Sequence, residues 1–179
     1  MTPAHVVAVS RDDAHRFSKV PVEAITLVEG HGIEGDVHAG AMMKHRYGPH
    51  RGRTLPNLRQ VHLLQSELFD EAREHGFELG PGDLGENVLT AGIDLLTLPE
   101  GTLVDLGGPV VRLTGLRNPC VQISRFRKGL MRVVLEKRDG TTVRKVGVMS
   151  VVERGGVVRP GAPLAVTLPD APHVPLVPL

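Results

Sequence analysis

Cys120 is the chain's only cysteine, and its type and setting are the first hint of chemistry. It stands in the run Leu116-Arg117-Asn118-Pro119-Cys120-Val121-Gln122-Ile123, directly after a stretch that reads as a strand. Pro119 stiffens the approach, and Arg117 would favour a thiolate if the fold brings the two together. A thiolate is a soft ligand for thiophilic metals and can also carry a persulfide. The bland alternative is that a lone cysteine is only a small buried hydrophobe.

Three further clusters combine polar side chains with glycine. In Gly30-His31-Gly32-Ile33-Glu34-Gly35-Asp36-Val37-His38-Ala39-Gly40, glycines would let the backbone approach a ligand closely, with Asp36 and His38 as the polar candidates. In Gly82-Asp83-Leu84-Gly85-Glu86-Asn87, Gly85 is expected at positive φ, leaving Glu86 and Asn87 at a strand entry. Asn87 can both donate and accept, as the edge of a heterocycle requires. In Arg59-Gln60-Val61-His62, alternation puts Arg59 and Val61 on one face, with Gln60 and His62 on the other. An arginine there offers a two-pronged donor to a phosphate. A turn, a loop-to-strand junction and a solvated strand edge, respectively, explain the same residues without function.

The elements that must hold these residues are short. Strand-like runs fall at 6–9, 23–28, 60–64, 87–90, 103–106, 109–116, 146–152, 157–158 and 163–168. One helix is expected between Ser66, a capping residue, and Gly76, with Leu68, Phe69 and Ala72 forming its apolar face. A second is expected over 130–137. Glycine (21) and proline (14) make up about a fifth of the chain, against roughly an eighth in average proteins. Many turns and few helices point to a mostly β domain, a closed or nearly closed β-barrel. Residues 1–168 form the expected domain; 169–179 are a proline-rich tail, four prolines in eleven residues, which should not continue a sheet ladder.

Net charge is +1, so no global field suggests nucleic acid or an anionic membrane. Locally, residues 37–66 contain no Asp or Glu but do contain Lys44, Arg46, Arg51, Arg53 and Arg59, a setting for an anionic ligand. No apolar run approaches the roughly 18 residues of a membrane span, and no export signal is visible. The chain thus reads as cytoplasmic. A single cysteine excludes an internal disulfide and cysteine-rich metal sites within the chain. One Tyr, four Phe and no Trp leave little for base stacking, which disfavours the reading of a nucleic-acid-binding β-barrel.

Taken in order, Gly32 to Gly40, Arg59 to Leu64, Pro81 to Asn87, Leu98-Pro99-Glu100-Gly101-Thr102 and Arg117-Asn118-Pro119-Cys120 resemble the MOSC domain, named for the C-terminal domain of molybdenum cofactor sulfurase. The resemblance covers about residues 4–168. It implies a barrel-like β fold that binds a molybdopterin-type cofactor, with Cys120 as metal ligand or persulfide carrier. By the same resemblance Asp36, His38, Arg59, His62, Glu86, Asn87, Arg117 and Asn118 would contact the cofactor. Relatives that reduce N-hydroxylated compounds imply a molybdenum-dependent oxidoreductase served by a separate electron donor. The sulfurases imply a sulfur carrier served by a cysteine desulfurase. The chain lacks the desulfurase domain, so no pyridoxal phosphate site is expected in it.

Overall fold

The computed structural model describes residues 3–44 and 52–179. Among the described residues fifteen strands and three α-helices follow in order: β1 (His5–Arg11), β2 (Val20–Val22), β3 (Ile25–Val28), β4 (Gly32–Ile33), β5 (Met42–Lys44), β6 (Thr54–Pro56), β7 (Val61–Gln65), α1 (Glu67–Glu74), β8 (Val88–Ala91), β9 (Leu103–Asp105), β10 (Val110–Leu116), α2 (Val121–Phe126), α3 (Met131–Val134), β11 (Leu135–Arg138), β12 (Thr141–Arg144), β13 (Val148–Arg154), β14 (Gly156–Val158) and β15 (Ala165–Thr167). The chain is mostly β, as its turn-rich composition implies. No described helix is long and apolar enough to cross a membrane.

Eight strands form the main sheet, in the order β15-β9-β10-β13-β7-β8-β1-β2. Neighbours run antiparallel except β7 and β8, which are parallel. Residues 161–164 turn back along the start of β1, with Val6 N donating to Ala162 O at 2.9 Å and Gly161 N donating to Val6 O at 2.7 Å. The sheet nevertheless has two ends, at β15 and β2. No sheet among the described residues is closed into a barrel, so the closed or nearly closed barrel expected from the strand count is not confirmed. Smaller ladders join β14-β3-β4, β11-β12 and β5-β6.

Two apolar clusters sit on the sheet. One is built from Val6, Leu27, Leu63, Val88, Leu106, Leu113 and Val148 among others. The second fills the space under the helices with Leu64, Leu68, Phe69, Ala72, Leu89, Ile123, Leu130 and Val134. Leu68, Phe69 and Ala72 of α1 are buried, as their spacing requires. Ser66 precedes α1, but its side chain makes no capping hydrogen bond. The expected second helix is only half formed: α3 stops at Val134 and the chain continues as β11, hairpinned to β12. Asp139 and Gly140 make that turn at φ 49° and 78°, a pair of positive values that Asp-Gly supplies and that suits a tight hairpin.

Candidate cofactor site around Cys120

β10 delivers the chain to Cys120 and is held from two sides at its end. Arg117 N donates to Gly147 O at 3.0 Å. Leu116 N donates to Val177 O at 2.8 Å, and Leu179 N donates to Leu116 O at 3.1 Å. The proline-rich tail therefore lies along the strand that leads into the site, with Leu176 buried in the first apolar cluster. Its isolated bridges, Pro175 with Pro99 and Pro178 with Leu116, use carbonyls and the non-proline amides, which the sequence reading did not foresee. Gly115 has to be glycine: a Cβ there would meet Leu179 Cγ at 2.5 Å and Val177 O at 2.7 Å.

Cys120 is partly exposed and immediately precedes α2. Its thiol donates to Gln122 Oε1 at 3.4 Å. A deprotonated or ligated sulfur would instead need a donor, which the Gln122 amide can present by rotating its NH2 into place. Asn118 beside it accepts from Arg144 Nε at 3.1 Å, so β12 fixes the loop from outside.

Arg117 is the centre of the charge arrangement. As a residue it is partly buried, yet its Nη1 is sealed from solvent and has no hydrogen-bond partner among the described residues. Its guanidinium carbon lies 5.7 Å from the centroid of the Phe17 ring, a cation–π contact. Burial pulls the Arg117 pKa down, the Cys120 sulfur and the Glu86 carboxylate act in the opposite direction, and Arg59 adds repulsion. Cys120, Glu86, Arg59 and Arg117 are thus electrostatic neighbours.

Glu86 has no exposed surface. Its Oε1 accepts from Gly82 N at 2.5 Å, while Oε2 has no partner among the described residues. Burial raises its pKa, opposed by the Gly82 amide and by Arg117. Gly85 takes the expected positive φ, 80°, with a hypothetical Cβ 2.6 Å from Phe17 O. Arg59 is half-buried with its pKa lowered by burial, and pairs with no acidic side chain among the described residues.

Asp36, Asn87 and His62 form a second set, linked to one another by hydrogen bonds. Asp36 Oδ2 receives Lys19 Nζ at 2.6 Å and Asn87 Nδ2 at 3.1 Å. Its Oδ1 receives the His38 amide at 2.9 Å. Burial pushes the Asp36 pKa up, but the His38 and Lys19 contacts together win and hold it well below the usual carboxylate range. On Lys19 burial outweighs Asp36 and lowers the pKa. Asn87 also donates to Ser10 O at 3.2 Å and accepts from His62 N at 3.1 Å, so both ends of its amide are engaged. His62 is buried and pushed down to about 3 by burial and by Arg117. The neutral ring hydrogen-bonds through Nε2 to Val146 O at 2.7 Å. His38 is exposed, with Nδ1 3.3 Å from Asp36 Oδ1.

Cys120 and Arg117 share one loop, and Glu86 and Arg59 act on Arg117 through space. Asp36, Asn87 and His62 are engaged with the protein's own groups. Of the basic loop, Arg46 and Arg51 lie outside the described residues. Lys19, Phe17, Gln122 and Arg144 escaped the sequence reading. For Arg144 a signal existed: residues 117–145 hold nine Lys or Arg against two acidic residues, a denser excess than the stretch singled out. Lys19 carries no pattern that its sequence neighbours reveal.

Among the described residues no group of three or more His, Cys, Asp or Glu is placed to hold a metal ion. The candidate site is a single partly exposed sulfur and two arginines, Arg59 and Arg117, that form no salt bridge among the described residues, on a mostly β domain. A family model described as the MOSC domain matches residues 35–165. The chain belongs to the MOSC domain family, which associates it in general terms with the molybdenum cofactor. In fold it is similar to the YuaD protein of Bacillus subtilis (24% identity, 94% of this chain and 98% of that chain, TM-score 0.78). It is also similar to YiiM of Geobacillus stearothermophilus (18% identity, 97% of this chain and 80% of that chain, TM-score 0.67) and YiiM of Escherichia coli (20%, 97% and 74%, TM-score 0.61). A search of functionally curated proteins finds no significant match to the sequence.

Proposed function

We propose that this chain binds the molybdenum cofactor with Cys120 as a sulfur ligand to the metal, and that it reduces N-hydroxylated compounds. The observation that carries this reading is the sealed Arg117 Nη1, without a hydrogen-bond partner among the described residues, on the same loop as the partly exposed Cys120 three residues on. A buried donor without an acceptor is costly, and a guanidinium charge that solvent screens little favours an anion at the neighbouring Cys120 loop. Arg59, desolvated and without an acidic partner, provides a second donor for the phosphate of the pterin. A soft thiolate is the right ligand type for the metal. When bound, the cofactor supplies the redox chemistry: cleavage of an N–O bond consumes two electrons and two protons and yields the reduced nitrogen and water. The electrons come from a separate donor.

The chain's own residues bind and orient. Cys120 fixes the metal end, Arg117 and Arg59 hold anionic groups, and Asn118 keeps the loop in place through Arg144. Asp36, His38, His62, Glu86 and Asn87 serve as positioning residues that set where the arginines and the cysteine loop lie.

The test is molybdenum and pterin content after purification from a host that makes the cofactor. Near-stoichiometric molybdenum is expected in the native protein. Arg59→Ala and Arg117→Gln are each expected to weaken retention by roughly tenfold or more, the size of one charge-assisted hydrogen bond. Cyanide-releasable sulfur on Cys120 without molybdenum would replace this reading with that of a sulfur carrier.

A further inference from the structure

α2 carries Gln122, Arg125 and Phe126 on one side, facing Arg16, Phe17 and Ser18 from the segment before β2. Together they line an open groove of about 440 Å³. Two of the chain's four phenylalanines are here, with ring centroids 5.6 Å apart and planes tilted by 49°. Gln122 joins the groove to the thiol, since its Oε1 is the acceptor for Cys120 Sγ. Phe17 joins it to the buried cation, since its ring lies against Arg117.

The charges in the groove are uneven. Arg16 is neutralised by Asp12 and Asp13. Arg125 is exposed and has no hydrogen-bond or acidic partner among the described residues. Arg127 lies over the Phe126 ring, 4.4 Å from its centroid, with only a backbone carbonyl as acceptor. The groove therefore combines aromatic walls with a cation unpaired among the described residues at the rim, and its lining residue Gln122 is hydrogen-bonded to the Cys120 sulfur.

We infer that this groove is the substrate site and that it takes a planar aromatic ring bearing an anionic substituent, the ring against Phe126 and Phe17 and the charge on Arg125. Ring-on-ring contact suits the apolar walls, and a guanidinium gives a carboxylate two parallel hydrogen bonds. This extends the proposed function by naming the substrate class. It is testable on the metal-free protein, so its failure and the failure of molybdenum binding are separate results.

The single thiol makes a clean reporter. In the reaction with 5,5′-dithiobis(2-nitrobenzoate), the Cys120 thiolate attacks one sulfur of the disulfide, the S–S bond breaks, and one thionitrobenzoate leaves with the electron pair. The other forms a mixed disulfide with Cys120, and the thiol proton goes to solvent. Methyl methanethiosulfonate modifies the same sulfur but has neither ring nor charge. The aromatic reagent is expected to show saturation kinetics, and 2-nitrobenzoate is expected to slow it competitively. Arg125→Gln and Phe126→Leu should each lower the ratio of the aromatic to the aliphatic rate by about tenfold. Lys137→Gln on β11 should leave that ratio unchanged. Arg125 is exposed, so its variant tests the charge even if Phe126→Leu loosens the second apolar cluster. Absence of saturation, or an unchanged ratio in Arg125→Gln, would overturn the inference. In cofactor-loaded protein 2-nitrobenzoate should still bind; its exclusion would assign the groove to the cofactor and overturn the substrate assignment.

Discussion

The Asn87 side-chain amide donates to the Asp36 carboxylate at 3.1 Å across 51 positions of sequence. The contact joins the glycine-rich turn after β4 to the entry of β8, and the same Asp36 oxygen takes the Lys19 ammonium. The two residues that a sequence reader would assign to a ligand are thus ligands to each other.

Replacing Asn87 should therefore damage the fold before it damages any chemistry. Asn87→Ala removes donors to Asp36 and Ser10 O and the acceptor for His62 N. A buried carboxylate then loses one of its donors, and the expected loss of stability is about 2–4 kcal/mol. Denaturant unfolding measures it. A loss under 1 kcal/mol would mean that water or a rearranged side chain replaces the amide.

His62 gives a pH signature with a definite sign. Its folded pKa is about 3, below the ordinary 6.5, because burial and Arg117 disfavour the charged ring. Between those values the unfolded chain binds a proton that the folded chain does not, so stability falls as pH drops from about 6.5 toward 3. The contribution is at most about 1.4 kcal/mol per pH unit. Glu86, raised by burial, acts with the opposite sign above its ordinary pKa. Comparison with His62→Gln isolates the histidine: the native slope between pH 6 and 4 should be the steeper. Equal slopes would mean that His62 titrates normally.

The tail clamp predicts a coupling between Gly115 and residues 174–179. In Gly115→Val the new side chain displaces Leu179 and the Val177 carbonyl, freeing Leu116 from the tail. Amide hydrogen exchange at Leu116 and Leu179 should accelerate by tenfold or more, corresponding to local opening by about 1.4 kcal/mol. Unchanged exchange would show that the tail contributes nothing to holding the cysteine loop.

Much of this architecture is legible in the sequence where a local rule decides it. Leu68, Phe69 and Ala72 mark α1 by spacing, and Gly85 announces a turn that only a residue at positive φ can make. α2 was not visible because Val121 to Phe126 is a six-residue helix too short for a period to register. Asp139-Gly140 is a hairpin signal, while the apolar run before it reads as the helix expected over 130–137. The open sheet could not be told from a closed one, since closure depends on which strands meet at the edges. Cys120, Arg117 and Arg59 stand out in the sequence by their chemistry. That Asp36 and Asn87 are engaged with each other, and that Lys19 completes their contacts, is set by long-range packing alone.

The most direct test of the central claim, that Cys120 is a ligand to molybdenum, is the sulfur count around the metal by molybdenum K-edge X-ray absorption, native protein against Cys120→Ser. Serine keeps the size of the side chain and removes the soft ligand, and the partly exposed position should leave the fold intact. The native protein should show one sulfur more than the pterin dithiolene provides, and the variant should lose that sulfur or the metal altogether. An identical sulfur shell in a fully loaded variant would contradict the assignment of Cys120.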